Sequence, residues 1–190
     1  STSGASAGEV RVSWDVVGRA LKILLVTNLY PPQELGGYGR CMSDFCWGLQ
    51  QRGHQVSVLC SDAPYLGPSS HGPNGEAVQR KLQLKGSFHN GVTEVHDPGQ
   101  RARIDKANQR RLHACRNEGW DAVLVGNLDL LGAELLPALL SFGVPVVHHV
   151  GFVAPPYPAE SAPLSPQFRI SPASEAVRTS LIQAGFSIPK

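Results

Sequence analysis

Residues 21–27 (LKILLVT) form a nearly unbroken aliphatic run, the pattern of a strand covered on both faces within a parallel sheet. Residues 55–60 (QVSVLC), 121–126 (DAVLVG) and 144–150 (VPVVHHV) repeat it. Between these runs the periodicity changes. Met42, Phe45, Cys46 and Leu49 fall at i, i+3, i+4 and i+7 with Gly53 as a stop, which predicts a helix that buries this stripe on the sheet. Val78, Arg80, Leu82 and Leu84 share one parity and predict a further strand, followed by a strongly basic, weakly apolar helix over 101–116. Residues 130–140 are apolar at helical spacing despite Pro137, 168–170 read as a short strand, and 171–184 as a last helix stopped by Gly185. Alternation of this kind predicts an α/β fold: a doubly wound, mainly parallel sheet flanked by helices.

A chain of 190 residues, 42% hydrophobic and 17% charged, is long enough for one sizeable core. Residues 1–20 read as a tail and N-terminal segment, with Trp14 and Asp15 unassigned, and 21–190 as one domain. The Pro- and Gly-rich stretches 62–76 and 151–166 read as loops, the first expected to be disordered. A net charge of +2 does not mark a nucleic-acid binder. Its distribution is uneven, with nine basic and four acidic residues from Arg80 to Glu118. The helix from Arg101 to Arg116 therefore offers either a solvated charged face or a weak contact with an anionic membrane surface. Cys41, Cys46, Cys60 and Cys115 form no C-x-x-C pair and read as reduced, buried thiols in a reducing cytoplasm. The uncharged stretch 135–159 is broken by prolines and is not a membrane span, and residues 1–8 lack the pattern of a secretion signal. His54, His71, His89, His96 and His113 lack metal-ligand spacing, so no metal site is expected.

In an open parallel sheet the ligand crevice lies beyond the carboxyl ends of the strands, here at Asn28, Asp62, Asn127 and residues 148–152. The turn Gly36-Gly37-Tyr38-Gly39 adds bare backbone at a helix start, where N–H groups and the macrodipole favour an anion such as phosphate. A plain flexible connection between strand and helix is the alternative reading of the same glycines. Arg40, in the first turn, is either a phosphate contact or a solvated side chain.

The string N-x-Y-P-P-x-x-x-G-G-x-G-R at residues 28–40, followed by R-G-H-x-V-x-V from Arg52, resembles the N-terminal half of family-4 GT-B glycosyltransferases. The strand at 121–127 and the helix at 174–185 fit the same pattern more generically. The resemblance implies a Rossmann-like domain, one half of a GT-B fold. This half would face the hydroxyl acceptor, and a C-terminal domain lying outside these residues would hold a nucleotide-sugar donor. It implies that Gly36, Gly37 and Arg40 meet the donor's diphosphate and that Tyr30, Gly151 and Phe152 line the acceptor site. Asn127 and His149 would orient the acceptor. The donor is then a substrate, and neither a metal nor another cofactor is expected. Partners would be the nucleotide sugar, the acceptor and the chain's own C-terminal domain, with no nucleic acid; the expected location is cytoplasmic, with a position peripheral to the inner face of a membrane as the alternative that the basic helix at 101–116 leaves open. Where the family places a histidine near the end of the strand at 144–150, this sequence has Gly151. His149 shares that parity, which favours it over His148 as the substitute. Two other readings stay open: a non-catalytic nucleotide- or sugar-binding module, and an NAD-type Rossmann domain. For the second, Asp62 occupies the place of the ribose acid, but the glycines sit too far from the strand.

Overall fold

A computed structural model describes residues 18–189, so residues 1–17 of the expected tail, with Trp14 and Asp15, lie outside the described residues. Six strands make one parallel sheet in the order β3-β2-β1-β6-β7-β8. These are β1 (Lys22–Val26), β2 (Gln55–Ser61), β3 (Ala77–Leu82), β6 (Ala122–Val125), β7 (Val146–Val150) and β8 (Phe168–Pro172). The aliphatic run of β1 is explained by its two neighbouring cores: Leu24 and Val26 join one, Ile23 and Leu25 the other.

Helix α1 (Tyr38–Gln51) covers the Ile23/Leu25 face. It ends where Gly53, at φ +82°, lets the N–H groups of Gly53 and His54 return to the carbonyls of Gln50 and Leu49. Helices α2 (Pro98–Cys115), α3 (Leu136–Leu140) and α4 (Glu175–Gln183) join the core on the opposite face. Helices on both faces of a parallel sheet make the fold α/β and Rossmann-like. The chain builds outward through β2 and β3, then returns past β1 to place β6 on its other side. The switch therefore lies between β1 and β6, whose ends are tied by the N–H of Asn28 donating to the Asn127 carbonyl at 2.9 Å.

Several expectations are corrected. Phe45 is 40% exposed, although Met42 and Cys46 on the same helix are fully buried, because the sheet face beside it lacks a helix among the described residues. Helix α2 begins earlier than its basic stretch, since the Asp97 carboxylate caps the N–H of Gln100 at 2.6 Å and Pro98 occupies the first helical position. Its Leu112 and Cys115 are buried while Arg103, Lys106, Arg110 and Arg111 face solvent. Residues 130–140 are not one helix: Leu130 and Gly132 take positive φ, a 3-10 turn spans Ala133–Leu135, and only α3 follows. The last helix starts at Glu175, capped by the Ser174 hydroxyl. A small antiparallel ladder of β4 (Gly86–Ser87) and β5 (Thr93–Glu94) was not predicted.

Residues 62–76 are held in place rather than disordered. Gln33 is buried beneath them, donating to the Gly67 carbonyl and accepting from the Ala63 N–H, and Asn74 donates to the Ser43 carbonyl. The cysteines are free, and burial pushes the thiols of Cys46, Cys60 and Cys115 up to about 11, 12 and 11. No helix among the described residues is long and apolar enough to cross a membrane.

Candidate functional site

Two adjoining cavities, of about 130 Å³ and 270 Å³, open beyond the ends of β6 and β7 and share Leu128, Asp129 and Pro156. The smaller is lined by Tyr38, Asn127, His148, Gly151 and Phe152 among others; the larger reaches the β4–β5 hairpin, Lys85 and Arg101. This is the crevice that strand order alone places at the switch point.

Gly36 and Gly37 are exposed and lead into α1, whose first residue Tyr38 lines the smaller cavity and which has no side-chain cap at Gly37 and no acidic residue in its first turn. A helix start left in this way presents N–H groups and a partial positive charge. Gly36 sits at φ +68°, in the left-handed region that favours glycine, whereas Gly37 is at φ −97° with open space around it. Arg40 is exposed and paired with Glu34 at 3.1 Å, a contact of little energetic weight on a solvated side chain. The other Glu34 carboxylate oxygen is buried without a hydrogen-bond partner among the described residues.

Both strand-end histidines are engaged by the protein itself. His148 Nε2 lies 3.1 Å from the Gly126 carbonyl, which can only accept, so Nε2 carries the proton and Nδ1 accepts from the Tyr157 hydroxyl at 2.9 Å. Burial pushes this imidazole down to about 4, against an opposing pull from the Gly126 carbonyl, with the neighbouring His149 lowering it further. His149 does not line the crevice. It borders a separate cavity of about 190 Å³ with Phe45, Leu49, Leu124, Val147 and Ser171, on the α1 face of the sheet. Its Nδ1 is 3.1 Å from the Tyr38 hydroxyl, which itself donates to the His149 carbonyl; burial lowers the His149 pKa as well.

Tyr38, which sequence reasoning did not single out, is therefore the side chain joining the glycine turn to the end of β7. Its ring stands edge-on to His149 and 5.3 Å from Phe152, which is half exposed. The same ring fills the space beside Gly151: a Cβ there would stand 2.8 Å from Tyr38 Cε2. The space that a side chain at position 151 would enter is thus filled by an aromatic from another element. Gly151→Ala is expected to cost about 1–3 kcal/mol through overpacking, measured by urea unfolding, and to cost less in a Tyr38→Ala background. Equal costs in both backgrounds would refute the clash.

Tyr30 does not face an acceptor. It is fully buried, its hydroxyl donating to Glu76, and burial raises its pKa well above the phenol range. Arg80 likewise braces the loop, donating to the carbonyls of Tyr30 and Pro31. Asn127 is half buried and accepts from the Asp129 N–H at 2.9 Å, leaving its amide N–H groups as remaining donors beside the crevice. Asp129 is the exposed carboxylate common to both cavities, and Asp62 is exposed beyond β2. The signal for Asp129 was its place just after a buried strand. Among the described residues no group of three or more His, Cys, Asp or Glu side chains has the arrangement of a metal site.

No family model matches the chain, and no curated protein matches it. Among solved structures, the catalytic domain of starch synthase IV from Arabidopsis thaliana, bound to ADP and acarbose, is 11% identical at a TM-score of 0.44, over 71% of this chain and 34% of that one. The enzyme WbmG of Bordetella bronchiseptica in complex with NAD is 13% identical at 0.39, over 90% of this chain and 52% of that one. Its complex with NAD and UDP is 14% identical at 0.38 with the same coverage. The chain thus spans about a third of the starch synthase structure and about half of WbmG.

Proposed function

We propose that this chain is the acceptor-side domain of a retaining glycosyltransferase of GT-B type, moving a sugar from a nucleotide-sugar donor to a hydroxyl acceptor. The observation that carries the reading is the exposed, uncapped start of α1 at Gly36-Gly37, one residue from Tyr38, whose ring lines the crevice at the switch point. The motif spacing at residues 28–40 and 52–58 supports it. In this reading the Gly36 and Gly37 backbone neutralises the departing diphosphate of a donor held by a facing domain, with no metal. The crevice takes the acceptor, with Asn127 donating to a hydroxyl, Phe152 and Gly151 shaping the wall, and Asp129 a carboxylate exposed in both cavities. His149 acts only through Tyr38.

Gly37→Val is the clean test, because the φ of Gly37 suits any residue and its Cβ position is empty, so the fold is undisturbed. In the protein that joins this chain to its donor-binding domain, kcat is expected to fall at least about tenfold with the acceptor KM unchanged. Unchanged turnover would remove the phosphate role. A non-catalytic binding module is favoured by one observation, the engagement of both His148 and His149 in internal hydrogen bonds. Nucleotide binding without release of nucleotide in the presence of acceptors would decide for that module.

A further inference from the structure

The two cavities of the crevice, about 130 Å³ and 270 Å³, meet across Leu128, Asp129 and Pro156. Neither alone reaches the roughly 300 Å³ at which small-molecule pockets usually begin, whereas the two joined do, so a ligand that fills the crevice spans both. Each cavity sets an apolar surface beside hydrogen-bonding groups. In the smaller, the half-exposed Phe152 ring stands next to Tyr38, with the Asn127 amide on the same wall. In the larger, the half-buried Phe88 and Val92, which is 67% exposed, share the wall with Glu94 and Arg101. Arg101 spends one N–H on the Val95 carbonyl at 2.9 Å and keeps further donors. Asp129 sits where the cavities join; both it and Glu94 are exposed and have no ion pair among the described residues.

This pattern selects one ligand chemistry. An alkyl chain would cover Asp129, Glu94 and Arg101 without hydrogen-bonding them, at the cost of their desolvation. A phosphate or other polyanion would meet two unpaired carboxylates, while the Lys85 ammonium is already held by Asp105 at 2.8 Å and Glu134 at 2.9 Å, and the Arg101 charge acts on Glu134. A neutral saccharide meets both demands. Each ring offers a face of C–H groups to an apolar wall and a rim of hydroxyls that donate to carboxylates and accept from amide or guanidinium N–H groups. The recurrence of that pattern on either side of Asp129 matches two successive rings.

We propose that the larger cavity is a second sugar subsite, so that the acceptor is a neutral saccharide of at least two residues. The direction of that saccharide rests on the acceptor-side reading above: the terminal ring lies on Phe152 and Tyr38, next to the glycine turn, and the second ring on Phe88 and Val92. Binding of the saccharide does not require transfer to it.

The test is an amide-resolved NMR titration of the full chain with methyl glycosides of glucose, galactose, mannose and N-acetylglucosamine, and with maltose, cellobiose, lactose, mannobiose and chitobiose. At least one disaccharide is expected to bind about tenfold tighter than its constituent monosaccharides, moving the amides of Phe88, Val92 and Glu94 together with those of Asn127 and Phe152. Monosaccharides should move only the second set. Val92→Asp, at an exposed hairpin position, is expected to weaken that disaccharide about tenfold, so that it binds no tighter than the monosaccharide, with the spectrum outside the hairpin unchanged. Disaccharides that bind no tighter than monosaccharides, or that leave the hairpin amides unmoved, would overturn the second subsite. So would a folded chain that binds none of these sugars, or one that binds octyl glucoside through its alkyl chain or inorganic phosphate in their place. The two readings fail separately. A protein joined to its donor-binding domain that transfers no sugar, with disaccharide binding intact, would remove the transferase reading alone; one that transfers equally well to monosaccharides and disaccharides would remove the second subsite alone.

Discussion

Acidification from pH 7 to pH 4 is expected to cost the fold about 3 kcal/mol through His148, at roughly 1.4 kcal/mol per pKa unit. The sign follows from which state holds the proton. In the folded chain His148 is buried and titrates near 4, whereas unfolded it titrates at its ordinary value of 6.5, so over this interval the unfolded chain binds more protons. Stability is complete above pH 6.5 and is lost progressively as pH falls towards 4. Structurally, protonating Nδ1 would set a donor against the Tyr157 hydroxyl, which now donates to it, at a position where both side chains are buried. His148→Phe removes the titration and leaves the Tyr157 hydroxyl and the Gly126 carbonyl without a partner, at a cost of about 2 kcal/mol at pH 7. Urea unfolding of both proteins at pH 7, 5.5 and 4 isolates the effect, because carboxylates contribute equally to each. The two free energies should converge on acidification and cross before pH 4, since the loss of about 3 kcal/mol exceeds the initial gap of about 2 kcal/mol. Parallel lines would show that His148 is not the acid-labile group.

The same histidines mark how far the sequence could be read. The buried strands were legible because a parallel strand covered on both faces must be apolar at every position, and β1 shows this by sending alternate residues into two separate cores. Position within the fold was less legible. Phe45 has the spacing of a buried stripe, yet α1 sits at the border of an uncovered face, and periodicity does not reveal where coverage ends. Parity assigned His149 to the side of Gly151, but β7 ends at Val150 and the chain bends immediately after, so alternation stops one residue too early for the argument. Residues 62–76 read as disordered by composition, while the groups that fix them, Gln33 and Ser43, lie far back in the sequence. The glycine turn was legible as a local device. Its link to the crevice was not, because Tyr38 meets His149 and Gly151 only through tertiary structure.

Lys85→Met is expected to destabilise the protein by about 3 kcal/mol at pH 7, the lower end of what breaking a buried ion pair costs, since one of its partners is half exposed. The Lys85 ammonium is only 2% exposed and lies 2.8 Å from Asp105 and 2.9 Å from Glu134, so its removal leaves two carboxylates facing each other, with Arg101 as a remaining cation whose charge acts on Glu134. Methionine keeps the apolar stem, which separates the charge from the packing. For Glu134 burial raises the pKa, but the hydrogen bonds from Lys85 and from the Glu134 backbone N–H, with the charges of Lys85 and Arg101, outweigh it and hold the group below its ordinary value. A carboxylate depressed in this way contributes stability above its unfolded value that is lost as pH falls through the folded one. The penalty of Lys85→Met should therefore shrink between pH 5 and pH 3, when the orphaned carboxylates can take up protons. A penalty below about 1 kcal/mol at pH 7, or one indifferent to pH, would show that the triad is not coupled. The consequence reaches the crevice. The Lys85 N–H donates to the Leu130 carbonyl and its carbonyl accepts from Val95, so this residue ties the end of β3 and the β4–β5 hairpin to the loop that walls the larger cavity. On the proposed transferase reading, the same substitution should raise the acceptor KM more than it lowers kcat, because it loosens a wall without touching the glycine turn.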